Sequence, residues 1–212
     1  MTATKVAVLL TAAALAAHAQ DAGTQAARQD AGTSSAAQPH QMSAAEQEIM
    51  EKYTKAATPG PEHQKLAKLA GTWKMQVTAW MTPGAPPEKS EGTAEFKPIL
   101  GGRYLVQEVK STMGGQPFEG QGTMGFDNVT QERFATWTDN MSTGLLVMRG
   151  KCPADAKKCT MRGQGSDAMA GKMVSFTETT TMTDDNNFTF EMRGPGPDGK
   201  QYKMLEIKYA RQ

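Results

Sequence analysis

Few side chains in this sequence are suited to acid–base catalysis or metal binding. The chain has three histidines, and His18 and His40 lie in N-terminal segments with the composition of a leader and a linker. Any acid–base or metal hypothesis therefore rests on His63, because histidine is the side chain that titrates near neutral pH. The alternative is that His63 is structural and caps or hydrogen-bonds the end of a neighbouring element. No residue is assigned a catalytic role.

Two further groups are candidate ligand-binding residues. Trp137 and Asp139 form a polar aromatic cluster that is suited to the mouth of a pocket, although Asp139 equally suits a turn whose backbone amides it would satisfy. Arg103 and Tyr104 follow two glycines and could hold an anionic head group. If both belong to a strand, alternation allows only one of them to face inward, and the sequence does not decide which.

The two cysteines, Cys152 and Cys159, predict a short disulfide. Six residues separate them, which is not the spacing of a redox or zinc motif, and no histidine is nearby. An oxidising compartment would favour the bridge, and closing so short a loop should contribute on the order of 2 to 3 kcal/mol.

Motifs for cofactors and common enzymes do not occur in the sequence. It has no nucleophile elbow, P-loop, zinc-protease helix or dinucleotide-binding turn. Haem would call for a histidine on a strand, and none follows Thr72. The fifteen methionines suit an adaptable apolar cavity or a filled core, and they lack the clustering that a metal site needs. We expect no cofactor and no metal.

The first residues indicate export from a bacterial cell. Lys5 precedes an apolar run from Val6 to Ala17, and Ala17-His18-Ala19 has the form of a peptidase site. Cleavage after Ala19 would leave a periplasmic or secreted protein without a membrane anchor. Its 22 basic and 22 acidic residues balance, which argues against nucleic acid as a partner.

The remaining chain divides into a linker, a helical segment and a long β region. Residues 20–42 lack the aromatic and branched residues of a core and predict a disordered linker. Residues 43–61 predict a short helix, with a capping box at Ser43, and the linker that follows it. Residues 62–70 predict a second short helix. Alternating runs punctuated by Gly and Pro predict about ten strands, at 72–81, 91–98, 102–111, 116–126, 132–139, 143–151, 159–165, 171–182, 187–193 and 201–210.

Strands that are joined only by tight turns must be antiparallel, and so many of them would leave open edges unless the sheet closed. The sequence therefore predicts an all-β fold, a single meander barrel. In the first strand Trp73, Met75, Val77 and Met81 share the inward parity, and Arg211 extends the inward row of the last strand. A flattened half-barrel with one open side is the alternative, and it would favour a homodimer.

Five ordered blocks resemble the domain-of-unknown-function family 1579: His63–Trp73, Gly101–Leu105, Phe118–Asn128, Trp137–Gly144 and Ile207–Arg211. The resemblance covers residues 62–211 and implies a calycin-like barrel, similar in shape to lipocalins and fatty-acid-binding proteins, without an established substrate. The Gly71-x-Trp73 opening is also similar to the lipocalin signature. That likeness implies that Arg211 lies over the Trp73 ring and closes the barrel bottom, a structural role.

Three functions are compatible with these features. The barrel holds a small apolar or amphipathic ligand, or it is a filled interaction domain. The third hypothesis is an enzyme that uses His63 with Asp139 or Trp137, and it requires these residues to converge. Fold alone does not choose among them.

Overall fold

The computed structural model describes residues 42–152 and 156–212. The predicted leader and most of the predicted linker lie outside the described residues. Two helices precede the strands, α1 at Ala44–Ala57 and α2 at Pro61–Ala67. The predicted capping box is present in α1: the Ser43 hydroxyl accepts a hydrogen bond from the Glu46 backbone N–H, and the Glu46 carboxylate accepts one from the Ser43 N–H. None of the helices in this part of the chain is long and apolar enough to cross a membrane.

Ten antiparallel strands follow, as the sequence predicts, and they close into one barrel. Each strand pairs with its sequence neighbours, and β1 pairs with β10 through a register that includes Trp73 with Arg211 and Val77 with Ile207. The half-barrel alternative is therefore wrong. The open sheet edge that would have favoured a homodimer is paired in the closed barrel. The strands are β1 Gly71–Ala79, β2 Glu88–Ile99, β3 Tyr104–Met113, β4 Gln116–Asp127, β5 Glu132–Asp139, β6 Leu146–Gly150, β7 Lys158–Asp167, β8 Lys172–Asp184, β9 Asn187–Pro195 and β10 Gln201–Arg211.

Alternation along the strands sends apolar side chains to the interior in two clusters. The larger cluster gathers around Trp73, which is completely buried, and includes Phe96, Phe188 and Tyr209. The smaller cluster lies on β6, β7 and β8 and is centred on Met148 and Phe176. The interior thus has two separate apolar groupings.

The first strand is shorter than the sequence predicts. β1 ends at Ala79, so Met81 does not extend the inward row and is 69% exposed. The Trp80 N–H donates to the Met204 carbonyl, and the Tyr202 hydroxyl donates to the Met81 carbonyl at 3.1 Å. These bonds hold the segment after Ala79 against β10.

Candidate functional site

One end of the barrel is closed by α2. The Trp73 indole N–H donates to the Leu69 carbonyl at 2.9 Å, and the Arg211 guanidinium carbon lies 4.2 Å from the centre of the Trp73 ring. Arg211 also donates to the carbonyls of Lys68 and Ala70, at 2.6 and 2.7 Å. The last strand therefore fixes α2 and the first strand together, in a cation–π and hydrogen-bonded seal.

The other half of the barrel interior is less deeply buried. Inward-facing apolar side chains on six strands keep part of their surface accessible to water while they pack against the two apolar clusters. These partly exposed inward-facing residues are Val77, Met124, Trp137, Leu146, Phe190, Met192 and Leu205.

Three polar side chains lie within this largely apolar interior. The Gln107 amide donates to the Tyr209 hydroxyl at 3.1 Å, across the barrel from β3 to β10. Glu178 faces inward on β8 and is 9% exposed, with Met161 and Met192 as its direct cross-strand neighbours. Burial raises the pKa of Glu178 from near 4.5 to about 7. Burial, with a smaller contribution from the Glu178 charge, also raises the pKa of Tyr209.

The Glu178 carboxylate remains in contact with water-sized space. It has no hydrogen-bond or ion-pair partner within the described residues. Of the described side chains, only Arg133 has a polar atom, Nε, that is both sealed from water and unpaired. The unpaired oxygens of Glu178 are therefore not sealed from water.

Trp137 and Asp139 lie where β5 reaches the open end. The Trp137 indole N–H donates to Asp139 Oδ2 at 2.9 Å, and the Met141 backbone N–H donates to Asp139 Oδ1 at 3.0 Å. The Trp137 ring stacks on Phe118 and lies over Gly120, where a Cβ would come within 2.2 Å of the ring. Asp139 thus both satisfies a turn and orients the tryptophan that lines the mouth.

His63, Arg103 and Tyr104 meet in a different place. They line a pocket of about 450 Å³ on the outer face of the barrel, between the end of α1 and the outward row of Tyr104, Phe134 and Arg149. Neither Arg103 nor Tyr104 faces inward, contrary to the expectation that one of them would. Arg103 lies in the turn before β3, and the inward parity of that strand begins at the buried Leu105.

His63 has a structural contact of the kind that its alternative role predicts. It is 6% exposed, and its Nδ1 accepts a hydrogen bond from the Gly60 N–H at 3.0 Å. Its neighbour Glu62 pairs with Arg133 at the start of β5, at 3.0 Å. Asp139 lies six residues further along β5, which is about 20 Å for an extended strand. The pair of His63 with Asp139 or Trp137 that the enzyme hypothesis requires is therefore not formed.

Cys152 and Cys159 form the predicted disulfide, which joins the start of the β6–β7 connection to β7. The bridge lies against the smaller apolar cluster, since Cys159 is buried within it. In the described segments no three His, Cys, Asp or Glu side chains are grouped in a way that could hold a metal ion.

The polar interior residues Gln107, Glu178 and Tyr209 were not predicted as a group from the sequence. Glu178 was detectable, because it occupies an inward position in the alternating run Val174, Phe176, Glu178, Thr180. A charged residue at a position that alternation places in the barrel interior indicates a polar group inside the core. The contact between Gln107 and Tyr209 joins residues 102 positions apart, and no local pattern predicts it.

The chain is similar to several solved structures. The crystal structure of Rv2717c from M. tuberculosis is similar with a TM-score of 0.56 and 15% identity, over 73% of this chain and 99% of that one. A de novo designed fluorescence-activating β-barrel matches 69% of this chain and 97% of its own, with 13% identity and a TM-score of 0.40. A redesigned barrel bound to DFHBI matches 68% and 99%, with 17% identity and a TM-score of 0.39.

Sequence comparison defines the family. No curated protein gives a significant match to the chain. The sequence model described as "Protein of unknown function (DUF1579)" matches residues 58–211, which is more than half of the chain and includes all ten strands. The chain therefore belongs to the DUF1579 family.

Proposed function

We propose that this protein binds a small apolar or amphipathic molecule inside its barrel. The observation that carries the proposal is that inward apolar side chains of the lumen keep accessible surface and that the Glu178 oxygens are not sealed from water. A ligand that covered this surface would gain about 25 cal/mol for each Å² of apolar area that it removed from water. Closed barrels of this size enclose such cavities in a stable wall.

Entry would occur at the end opposite α2. Trp137 and Phe118 form an aromatic wall there, and Asp139 holds the Trp137 ring in place. An aromatic wall provides a large rigid contact surface, with little side-chain entropy lost on binding. Of the candidate residues that the sequence indicates, Trp137 and Asp139 are therefore the two that belong to this site.

The alternative is a barrel that acts as an interaction domain with a solid core. Its support is the closed end, where the side chains around Trp73 are tightly buried. The partly exposed inward residues of the other half favour the binding function instead. His63, Arg103 and Tyr104 would then act elsewhere, at the outer pocket beside α1.

We further propose that the protein is exported, with its leader removed after Ala19. The Cys152–Cys159 disulfide supports this location, since such bridges persist in oxidising compartments. The amino-terminal sequence of the protein from its native host tests the proposal. Gln20 as the first residue is the expected result, and an intact Met1 in a cell-internal fraction would overturn it.

Titration with the uncharged apolar dye N-phenyl-1-naphthylamine tests binding in the lumen. The inward Ala135 is partly exposed and lies between Met124 and Met148, so Ala135→Phe should occupy open space and weaken dye binding at least about tenfold. Thr138→Phe adds a similar ring to the outward face of the same strand and serves as the control. Absence of dye binding by the wild type, or equal binding by both variants, would refute the proposal. Circular dichroism verifies that each variant folds, because overpacking costs about 1 to 3 kcal/mol.

A further inference from the structure

Glu178 is an unpaired carboxyl group in the lumen, and it is anionic only above its raised pKa of about 7. Its neighbours across the sheet, Met161 on β7 and Met192 on β9, are apolar. Burial is the sole cause of the rise in its pKa, so no cation in the described segments compensates its charge. Two arginines at the closed end already have other partners: Arg133 pairs with Glu62, and Arg211 binds Trp73 and three carbonyls.

Buried charges in proteins are normally paired, because an isolated ion in a medium of low polarity is costly. Glu178 is more than nine-tenths buried, yet its oxygens reach open space instead of protein atoms. A partner that arrives in that space would both remove the penalty and gain a charge-assisted hydrogen bond. The partner that this group favours is a cation with N–H donors, and a ligand carboxylate would be repelled.

The depth of Glu178 defines how such a ligand would lie. β8 runs from the open end at Lys172 to the closed end at Asp184, so Glu178 is near the middle of the barrel. Trp137 and Leu146, which are directly paired across β5 and β6, lie nearer the mouth. A head group at Glu178 would therefore leave its apolar tail beside the aromatic wall. Gln107 and Tyr209 supply further hydrogen-bonding atoms in the same lumen.

We propose that the ligand of this barrel is an amphipathic amine, whose protonated nitrogen pairs with Glu178 while its apolar part fills the lumen toward Trp137. This inference deepens the proposed lumen-binding function and rests on it. It assigns Glu178 as the residue that selects the class of ligand.

Calorimetric titration of the mature protein with three ligands of one chain length tests the inference. Decylamine, decanol and decanoate differ only in the head group, so their shared tail reports on the lumen and their differences report on Glu178. At pH 8 we expect the amine to bind at least about tenfold more tightly than the alcohol, and the carboxylate to bind more weakly than both. Glu178→Gln should remove the amine's advantage and leave the affinity for decanol unchanged within about threefold. Glu119→Gln, an exposed carboxylate on β4, should leave all three affinities unchanged.

The outcomes separate the inference from the function on which it rests. If none of the three compounds binds, lumen binding itself fails and the inference fails with it. If all three bind and the wild type does not prefer the amine, or if Glu178→Gln keeps that preference, the lumen binds ligands but Glu178 does not select them. A wild-type pH series needs no variant. Amine affinity should rise between pH 5.5 and pH 7 as Glu178 loses its proton, and an affinity that is constant over this range would overturn the assignment.

Discussion

Glu178 determines how the stability of the empty barrel should depend on pH. Its pKa is raised from about 4.5 to about 7 by burial, so the folded protein retains a proton that the unfolded chain releases between these values. Stability must therefore fall as the pH rises through this window, and it should level off above pH 7. The full effect is on the order of 3 kcal/mol. Tyr209 is the titratable group across the lumen that responds to the Glu178 charge.

Glu178→Gln should remove this dependence. We expect the variant to be more stable than the wild type at pH 8 and to approach the wild type near pH 4.5, because only the ionised carboxylate is penalised. Urea unfolding at a series of pH values measures the difference. Glu119→Gln should follow the wild-type curve, and the assignment of the buried carboxylate would fail if Glu178→Gln showed the same decline in stability as the wild type.

Sequence patterns predict the contacts of residues near strand ends better than they predict the contacts of residues in the barrel interior. The cysteine pair and the Arg211–Trp73 contact follow from spacing, parity and resemblance. Arg103 and Tyr104 did not follow. A turn with positive φ at Leu100, Gly101 and Gly102 precedes Arg103, whose own backbone is helical, and Tyr104 begins β3 on the outward parity. The sequence predicts two roles for Asp139, one at the mouth of a pocket and one in a turn. Its bonds to Trp137 and to the Met141 backbone combine them.

The seal that joins α2, β1 and β10 is the main stabilising contact between secondary-structure elements. Arg211 connects the last strand to the carbonyls at the end of α2 and to the Trp73 ring. Gly71 makes this approach possible: its φ is +120°, and a Cβ there would lie 3.2 Å from an Arg211 nitrogen. A side chain at this position would be strained and would crowd the guanidinium.

Arg211→Met should destabilise the barrel by about 2 to 4 kcal/mol, because it removes a cation–π contact and charge-assisted hydrogen bonds to the carbonyls of Lys68, Ala70 and Asp185. Chemical denaturation followed by tryptophan fluorescence measures the change. Lys208→Met alters an exposed side chain on the same strand and should change stability by no more than about 0.5 kcal/mol. Equal effects of the two substitutions would show that the seal does not stabilise the fold.

The disulfide restrains the β6–β7 connection. Replacing both Cys152 and Cys159 by alanine should lower the free energy of unfolding by on the order of 2 to 3 kcal/mol, mostly because the unfolded chain gains conformational entropy. Denaturation with and without a reducing agent provides the matched comparison. The reducing agent should lower the stability of the wild type and leave the double variant unchanged; a wild type that is insensitive to full reduction would contradict the prediction.

All ten strands could be predicted because each is bounded by turn residues and has alternating polarity. Their ends were less predictable where tertiary contacts decide them. Beyond the end of β1 at Ala79 the chain bonds to Met204 and Tyr202, each more than 120 residues away in sequence, and no local pattern predicts such contacts. α1 was predictable for a different reason: its capping box is local, and the helix buries no residue.

On the proposed function, the whole molecule separates stability from binding along the barrel axis. α2 and the Trp73 cluster form a packed end, the apolar side chains of the opposite half keep accessible surface, and the buried Glu178 lies near the middle of the barrel. Closure of the sheet through β1 and β10 makes this division possible, since the wall needs no filled core to satisfy its backbone groups. Alternation and turn residues were enough to predict the barrel and its closed end, but the open lumen depends on how side chains from all strands meet.

A crystal structure of the mature protein with N-phenyl-1-naphthylamine tests the central claim most directly. Binding in the lumen predicts the dye between the Trp137 wall and Glu178, in contact with inward residues such as Leu146 and Met192. An interior filled by its own side chains, with the dye absent or confined to the outer surface, would contradict the claim.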